Sequence, residues 1–380
     1  MTEQVQDILI YAHYAPPYPS ASATRMLSLA RHLAHKGHQV KLLTSQPGPL
    51  LHEGQQIIRS TGRVGLMRVL WQHKRCPILI SSPPGTPAAE VAMMARLLGY
   101  RVIVDIRDPY VSEALANGDI KPGIATGVRR WLEHTLFQVA HGISYVSEPL
   151  KKAMDRHFGR PRVPQVIAPN GIDTDIFYIN LRDRQNARQE LGLTTEPVFV
   201  YVGILGGKAL DETFDALASA LRQGAKLLVI GVLDQYSEPI KVRLQKLTAT
   251  LGVESQVVWR FNASLREVAY FLNAGDIGVN PLPGTRSYCL PVKTFEYLSC
   301  GIYPLSIASG DSALSTMFPD ESKGVLCTNW REYSLWAEKL TTRIDDVRAG
   351  AADRAEFAKQ FDREKANKVL ADLLIQSRSV

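Results

Sequence analysis

The residues best placed for chemistry lie between Asn280 and Leu305, in the run NPLPGTRSYCLPVKTFEYLSCGIYPL. The preceding AGDIGV reads as a short buried strand, and Val292 to Cys300 as a helix closed by Gly301. A strand, a Pro/Gly loop and a helix N-terminus in that order make an anion site. The N–H groups of Val292, Lys293 and Thr294 are expected to point out of the first turn, with the positive end of the helix dipole behind them. Leu290 leads into this turn, and Pro291 suits its first position, where a missing N–H costs nothing. Lys293 adds a full charge. Glu296, one turn later, suits hydrogen bonds from a diol such as a ribose. Phosphate at the helix tip with sugar hydroxyls beside it describes a nucleotide-sugar site. Without a ligand, the same segment is an ordinary helix with Phe295, Tyr297 and Leu298 in its core.

The run PVKTFEYLSCGIYPL resembles the donor-site signature of the family-four retaining glycosyltransferases, which have the GT-B fold. In many members two glutamates stand eight positions apart. Glu296 matches the second, which the resemblance assigns to the ribose; the first falls at Tyr288. A subset reading P-x-K-x-F-E-Y-L/M-A-x-G also lacks the first, and this chain is similar to that subset. How the hydroxyls of the donor sugar are held is then left unassigned. The resemblance also implies a basic Gly-rich loop against the donor diphosphate. Gly203, Gly206 and Gly207 supply it; Ile204 stands where an Arg is common, and Lys208 matches the later Lys. Arg286 is a second phosphate ligand by position. Arg260, Phe261 and Asn262 end a strand where relatives contact the base.

These segments need two α/β scaffolds to hold them. At 380 residues the chain suits two domains. Strand 7–12, helix 24–36 and strand GHQVKLLT open a doubly wound domain with no G-x-G-x-x-G fingerprint. The loop YAPPYPSASATR between them stands where the family places an acceptor-side loop. Tyr18, Ser20, Ser22 and Arg25 are therefore the acceptor candidates. Helices 64–74 and 86–98 follow. RVIVDIRDPY then puts Asp105, Arg107 and Asp108 at the carboxyl end of a strand, where open α/β sheets bind ligands. Relatives often carry His-Asp there; Arg107 replaces the His and Asp108 matches the Asp. Ser147 reads as a helix cap. The phrases YVSEPL and APNGIDTDIF resemble further family segments, and Asp173-Thr174-Asp175 reads as turn chemistry, not as a metal motif.

The expected fold class is thus α/β, GT-B, with two Rossmann-like doubly wound domains facing across a cleft. The expected bounds are 1–178 for the acceptor side, 179–352 for the donor side, and 353–380 for helices 353–361 and 363–376 packing back on the first domain. The resemblance implies retaining sugar transfer from a UDP- or GDP-sugar to a glycan or polyprenyl-phosphate-linked acceptor. Lys208, Arg286, Arg107 and Asp108 are the catalytic candidates, with no metal and no cofactor. A nucleotide-sugar 2-epimerase and a non-catalytic scaffold stay open as alternatives.

Composition adds compartment and partners. The start MTEQVQDILIYAHYAPP lacks a basic opening and is not expected to be a signal peptide. Cys76, Cys289, Cys300 and Cys327 are scattered without metal-ligand spacing, which fits a reducing cytosol. Residues 1–175 hold 20 Lys+Arg against 13 Asp+Glu, and the remainder 24 against 24, so the whole +7 belongs to the first part. Arg63, Arg68, Lys74, Arg75, Arg129 and Arg130, with Trp71 and Trp131, suggest an anionic membrane surface as partner, and a peripheral protein. The bland reading of the same charge is solubility. Nucleic acid is not expected as a partner.

Overall fold

The structure, a computed structural model, describes residues 5–375 apart from 19, 74–75, 110, 112–114, 116–119, 206–208, 234–236, 283–287, 289, 309–311 and 319. The chain divides into two units, Met1–Asn170 with Arg363–Val380, and Gly171–Asp362. The boundary therefore falls at 170 rather than at 178. Of the two tail helices, Ala351–Ala358 stays with the second unit and only Arg363–Ile375 joins the first.

The first unit is built on a sheet in the order β3-β4-β2-β1-β5-β6-β7-β8. Its strands are β1 (Asp7–Tyr11), β2 (Gln39–Thr44), β3 (Leu51–His52), β4 (Gln55–Arg59), β5 (Pro77–Ser82), β6 (Arg101–Ile106), β7 (Gly142–Tyr145) and β8 (Gln165–Ile167). All pairings are parallel except β3 with β4. Central strands such as DILIY and RVIVDI are near-continuous apolar runs because helices cover both faces. The β3–β4 hairpin is not expected from the sequence. Its turn is Glu53-Gly54, both at positive φ, and lacks the Asn-Gly signal that marks such turns.

The helix Ala21–His35 starts three residues before its expected position because Ser20 caps it, accepting from the Ala23 N–H at 3.1 Å. The helix Arg363–Ile375 packs on it: Asn367 donates to Ser28 at 2.9 Å, and Arg101 donates to the carbonyls of Leu373 and Leu374. Gly142 makes room for this helix, since a Cβ there would stand 3.0 Å from the Leu373 side chain.

The second unit carries β9 (Val198–Ile204), β10 (Lys226–Val232), β11 (Val257–Phe261), β12 (Ile277–Pro281), β13 (Tyr303–Ile307) and β14 (Val325–Cys327). They are ordered β11-β10-β9-β12-β13-β14 and paired parallel throughout. The chain winds outward from β9 in one direction, then returns to lay β12 on the other side of β9. That reversal is the topological switch point of the sheet. Ligands of open α/β sheets bind beyond the carboxyl ends of the strands there. After β14 come two helices, Trp330–Thr342 and Ile344–Ala349, separated at Arg343.

Candidate nucleotide-sugar site

The two segments singled out in the second half follow β9 and β12, and so share the switch point. The helix Val292–Ser299 forms as expected and ends in a Schellman arrangement. Gly301 takes φ +73°, its N–H donates to the Leu298 carbonyl, and Ile302 N–H donates to Tyr297. A side chain at Gly301 would also strike Ala351 and Ile179.

At the other end, two expectations change. Pro291 is the N-cap residue and not the first helical residue, with φ −62° and ψ 132°. Thr294 N–H does not point outward; it donates to the Pro291 carbonyl at 3.0 Å. Of the first three helical residues, Val292 and Lys293 stand at the tip. Glu296 is half-buried one turn on, and Leu290 is buried where the loop enters the helix.

A buried polar frame fixes this helix to the sheet. Asn280, at the end of β12, donates from Nδ2 to Thr294 Oγ1 at 2.9 Å and to Ser306 Oγ at 3.1 Å. The Tyr297 hydroxyl accepts from Val202 N–H in β9 and donates to the Val279 carbonyl in β12. Gly278 is needed here, because a Cβ would lie 2.3 Å from the Tyr297 ring. The Tyr201 hydroxyl donates to the Ile204 carbonyl at 2.7 Å, beside Gly203 at φ +136°. Burial pushes the Tyr201 and Tyr297 phenols up, so both stay protonated donors. Lys293 does not project into solvent: its Nζ lies 4.2 Å from the centre of the Tyr201 ring.

The other donor candidates are placed as follows. Asn262 follows β11 at φ +55°; its side chain accepts from Leu233 N–H and so ties two strand ends together. Arg260 turns back on the Trp259 carbonyl and the Phe271 ring, and Phe261 stacks on Trp259. Gly206, Gly207, Lys208 and Arg286 lie outside the described residues. Among the described residues, no group of three or more His, Cys, Asp or Glu is arranged to hold a metal ion.

In the first unit the acceptor candidates separate. Tyr18 is exposed and stacked on Tyr14 at 4.9 Å. Ser20 is spent as the helix cap, and Ser22 is buried. Arg25 is buried and turned inward, which corrects its assignment to an acceptor. Nε and Nη2 grip the two oxygens of Asp105 at 3.0 Å each, while Nη1 and Nη2 also donate to the carbonyls of Pro169 and Ala168. Ser144 donates to the same carboxylate. Burial acts to raise the Asp105 pKa, but Arg25 and Ser144 outweigh it and hold the group below its ordinary value. Arg107 is half-buried and fastened to Ser81 Oγ and the Pro83 carbonyl, with Asp108 half-buried next to it. Each lies at the carboxyl end of the sheet.

Residues 22–176 match the family model described as Glycosyltransferase Family 4. The first part of the chain is therefore similar to that family. That match covers the first unit, whereas the resemblance visible in the sequence is carried mostly by the second. No curated protein matches the chain. Among solved structures it is similar to a sucrose-phosphate synthase from Thermosynechococcus elongatus, at 17% identity and TM-score 0.77, covering 97% of this chain and 98% of that one. It is also similar to Anabaena HepE in complex with UDP-glucose, at 15% identity and TM-score 0.78, covering 97% and 99%. A third is WaaG, a glycosyltransferase involved in lipopolysaccharide biosynthesis, at 16% identity and TM-score 0.75, covering 97% and 100%. The fold is GT-B, two Rossmann-like α/β units.

Two features of the two units escape sequence reading. His13 follows β1 with its ring edge-on to Tyr14 at 4.7 Å and Nε2 3.0 Å from Gln46 Nε2; burial pushes its pKa down. Its place in the loop after the first strand was the available signal. In the second unit, Asp276 is buried beneath Arg184, Arg188 and Arg348, and Val198 N–H also donates to it. Burial acts to raise its pKa, but the Arg348 hydrogen bonds and the three charges prevail and lower it. Asp276 opens β12, at the opposite end from the helix tip, so its work is structural.

Proposed function

We propose that this protein transfers a sugar, with retention of anomeric configuration, from a UDP- or GDP-sugar to a glycan or polyprenyl-phosphate-linked acceptor. The observation that carries the reading is the helix Val292–Ser299 at the switch point of the second sheet, with the Val292 and Lys293 amides at its tip and Glu296 one turn in. A diphosphate at that tip meets N–H donors and the positive end of the dipole. Glu296 then accepts from the ribose. The HepE structures with UDP and with UDP-glucose support the same donor class here.

In this reading Lys208 and Arg286 add charge against the diphosphate as it leaves. Preorganised cations and amides stabilise developing negative charge without moving, and no metal is then required. The acceptor is held by the first unit, near Tyr18 and the Arg107–Asp108 loop. The reaction takes place at the inner face of a membrane, with the protein peripheral to it.

The test is incubation with a panel of nucleotide sugars, with and without a polyprenyl-linked acceptor. Acceptor-dependent release of nucleoside diphosphate, with the anomeric configuration kept in the product, supports the reading. A changed sugar nucleotide formed without acceptor indicates a 2-epimerase, and binding without turnover indicates a scaffold. Turnover that EDTA abolishes and Mg²⁺ restores overturns the metal-free step.

A further inference from the structure

The second unit holds a cavity of about 310 Å³ between β13 and the helices Trp330–Thr342, Ile344–Ala349 and Ala351–Ala358. Tyr303, its wall on the sheet, opens β13, so the cavity stands at the amino end of the strands. The tip of the helix Val292–Ser299 stands at their carboxyl end. Trp336, Leu340 and Val347 give the cavity apolar walls. Small-molecule sites have this character, mostly apolar with a few polar groups that fix orientation.

Arg354 is the polar group here. It is 2% exposed, yet no carboxylate lies within ion-pair distance of it among the described residues. Nε and Nη2 donate to the Gly301 carbonyl at 3.1 and 2.8 Å, and Nη2 also donates to the Val347 carbonyl. The guanidinium lies 5.4 Å from the centre of the Tyr303 ring. Those contacts tie Arg354 to the glycine that closes the helix Val292–Ser299. They do not use Nη1, which makes no hydrogen bond among the described residues. Nη1 faces Gly350 in the cavity wall, where a Cβ would stand 2.7 Å from it. Burial pushes the pKa of Arg354 down to about 10, so at neutral pH the group is a buried cation with no counter-charge in contact.

The other charges at the cavity cancel. Lys339 lies 4.0 Å from Glu321, with its Nζ 3.6 Å from the centre of the Trp336 ring, and Arg343 pairs with Asp346 at 3.0 Å. One positive charge is left over, and it matches one negative charge. A carboxylate carries one, whereas a phosphate monoester carries roughly two at neutral pH.

We propose that this cavity binds a small aromatic carboxylate, with the carboxylate accepting from Arg354 Nη1 and the ring against Trp336, Leu340 and Val347. The site stands apart from the sugar-transfer reading, and its test needs neither donor nor turnover. Failure of either leaves the other standing.

The full chain is titrated with 2-naphthoate by calorimetry, with and without UDP. The neutral 2-naphthol and the more highly charged 2-naphthyl phosphate serve as comparisons. One saturable site per chain is expected, not displaced by UDP, with 2-naphthol weaker by at least about tenfold, the scale of a charged hydrogen bond. Gly350→Ala sets a methyl group against Nη1 and should weaken 2-naphthoate by a similar factor. Trp336→Ala, at a half-buried position, should weaken it as well. Arg354→Met should abolish binding; should it fail to fold for want of the Gly301 contact, the two milder variants carry the test. Absence of saturable 2-naphthoate binding overturns the proposal. Competitive displacement by UDP overturns it too, since the ligand would then occupy the nucleotide site. Unchanged affinity in both Gly350→Ala and Trp336→Ala, or tighter binding of the phosphate than of the carboxylate, has the same consequence.

Discussion

The Lys293 ammonium sits 4.2 Å from the centre of the Tyr201 ring, and the Tyr201 hydroxyl holds the Ile204 carbonyl at the end of β9. One tyrosine thus joins the donor helix to the strand that enters the Gly-rich loop. The lysine lends its charge to the helix tip from within the unit.

Lys293→Met should accordingly weaken UDP binding by less than about 1.5 kcal/mol, the lower bound for losing a direct charged hydrogen bond. Calorimetry measures it. A larger loss would make Lys293 a direct diphosphate ligand. Tyr201→Phe, which keeps the ring and loses the hydroxyl, should cost about 1 kcal/mol of stability in denaturant titration.

Glu296→Ala should weaken UDP or GDP binding by about 1.5–3 kcal/mol. The residue stands half-buried one turn from the tip, where the proposed reading puts the ribose. Unchanged affinity for both nucleotides would sink the ribose assignment.

Lys208→Ala and Arg286→Ala should lower kcat more than they raise KM. Charge on the leaving diphosphate grows toward the transition state, so a lost cation matters most there. Steady-state kinetics with the identified donor decide it. A raised KM at constant kcat would confine both residues to ground-state binding.

Asp276→Asn should destabilise the protein by about 3–5 kcal/mol, because three arginines lose the carboxylate they surround. The pKa of Asp276 is lowered in the folded chain, so its contribution is present above its unfolded value of about 3.9 and is lost as pH falls through the folded value. Urea titrations across the acid range should show the wild type weakening below about pH 4, and the variant less steeply. Equal slopes would show that Asp276 is not a source of the acid sensitivity.

Arg25→Met should act on stability and not on acceptor KM. Its guanidinium is closed over Asp105 and two carbonyls, and removing it strands a buried carboxylate. A folded variant with a raised acceptor KM and an unchanged melting temperature would return Arg25 to the acceptor site.

Local signals in the chain were enough for most of the elements, the β3–β4 hairpin aside. Alternating apolar strands and amphipathic helices announce two α/β units, and Ser147 and Gly301 mark helix ends through backbone groups within a few residues, whereas Ser20, expected among the acceptor residues, is a cap. The helix Val292–Ser299 is legible for the same reason: Pro291, Lys293, Glu296 and Gly301 act within about three turns of one another. Tertiary structure alone decided which loops meet. Strand order has no local signature, and only the return of β12 to the side of β9 brings the end of β9 and the helix Val292–Ser299 to one switch point. It also decided which charged residues are free to act. Arg25 and Asp105 stand 80 positions apart, and Arg348 reaches Asp276 across 72. Nothing in the residues around an arginine says whether it will meet a buried carboxylate, because that pairing follows from how distant segments pack, and burial then makes it obligatory.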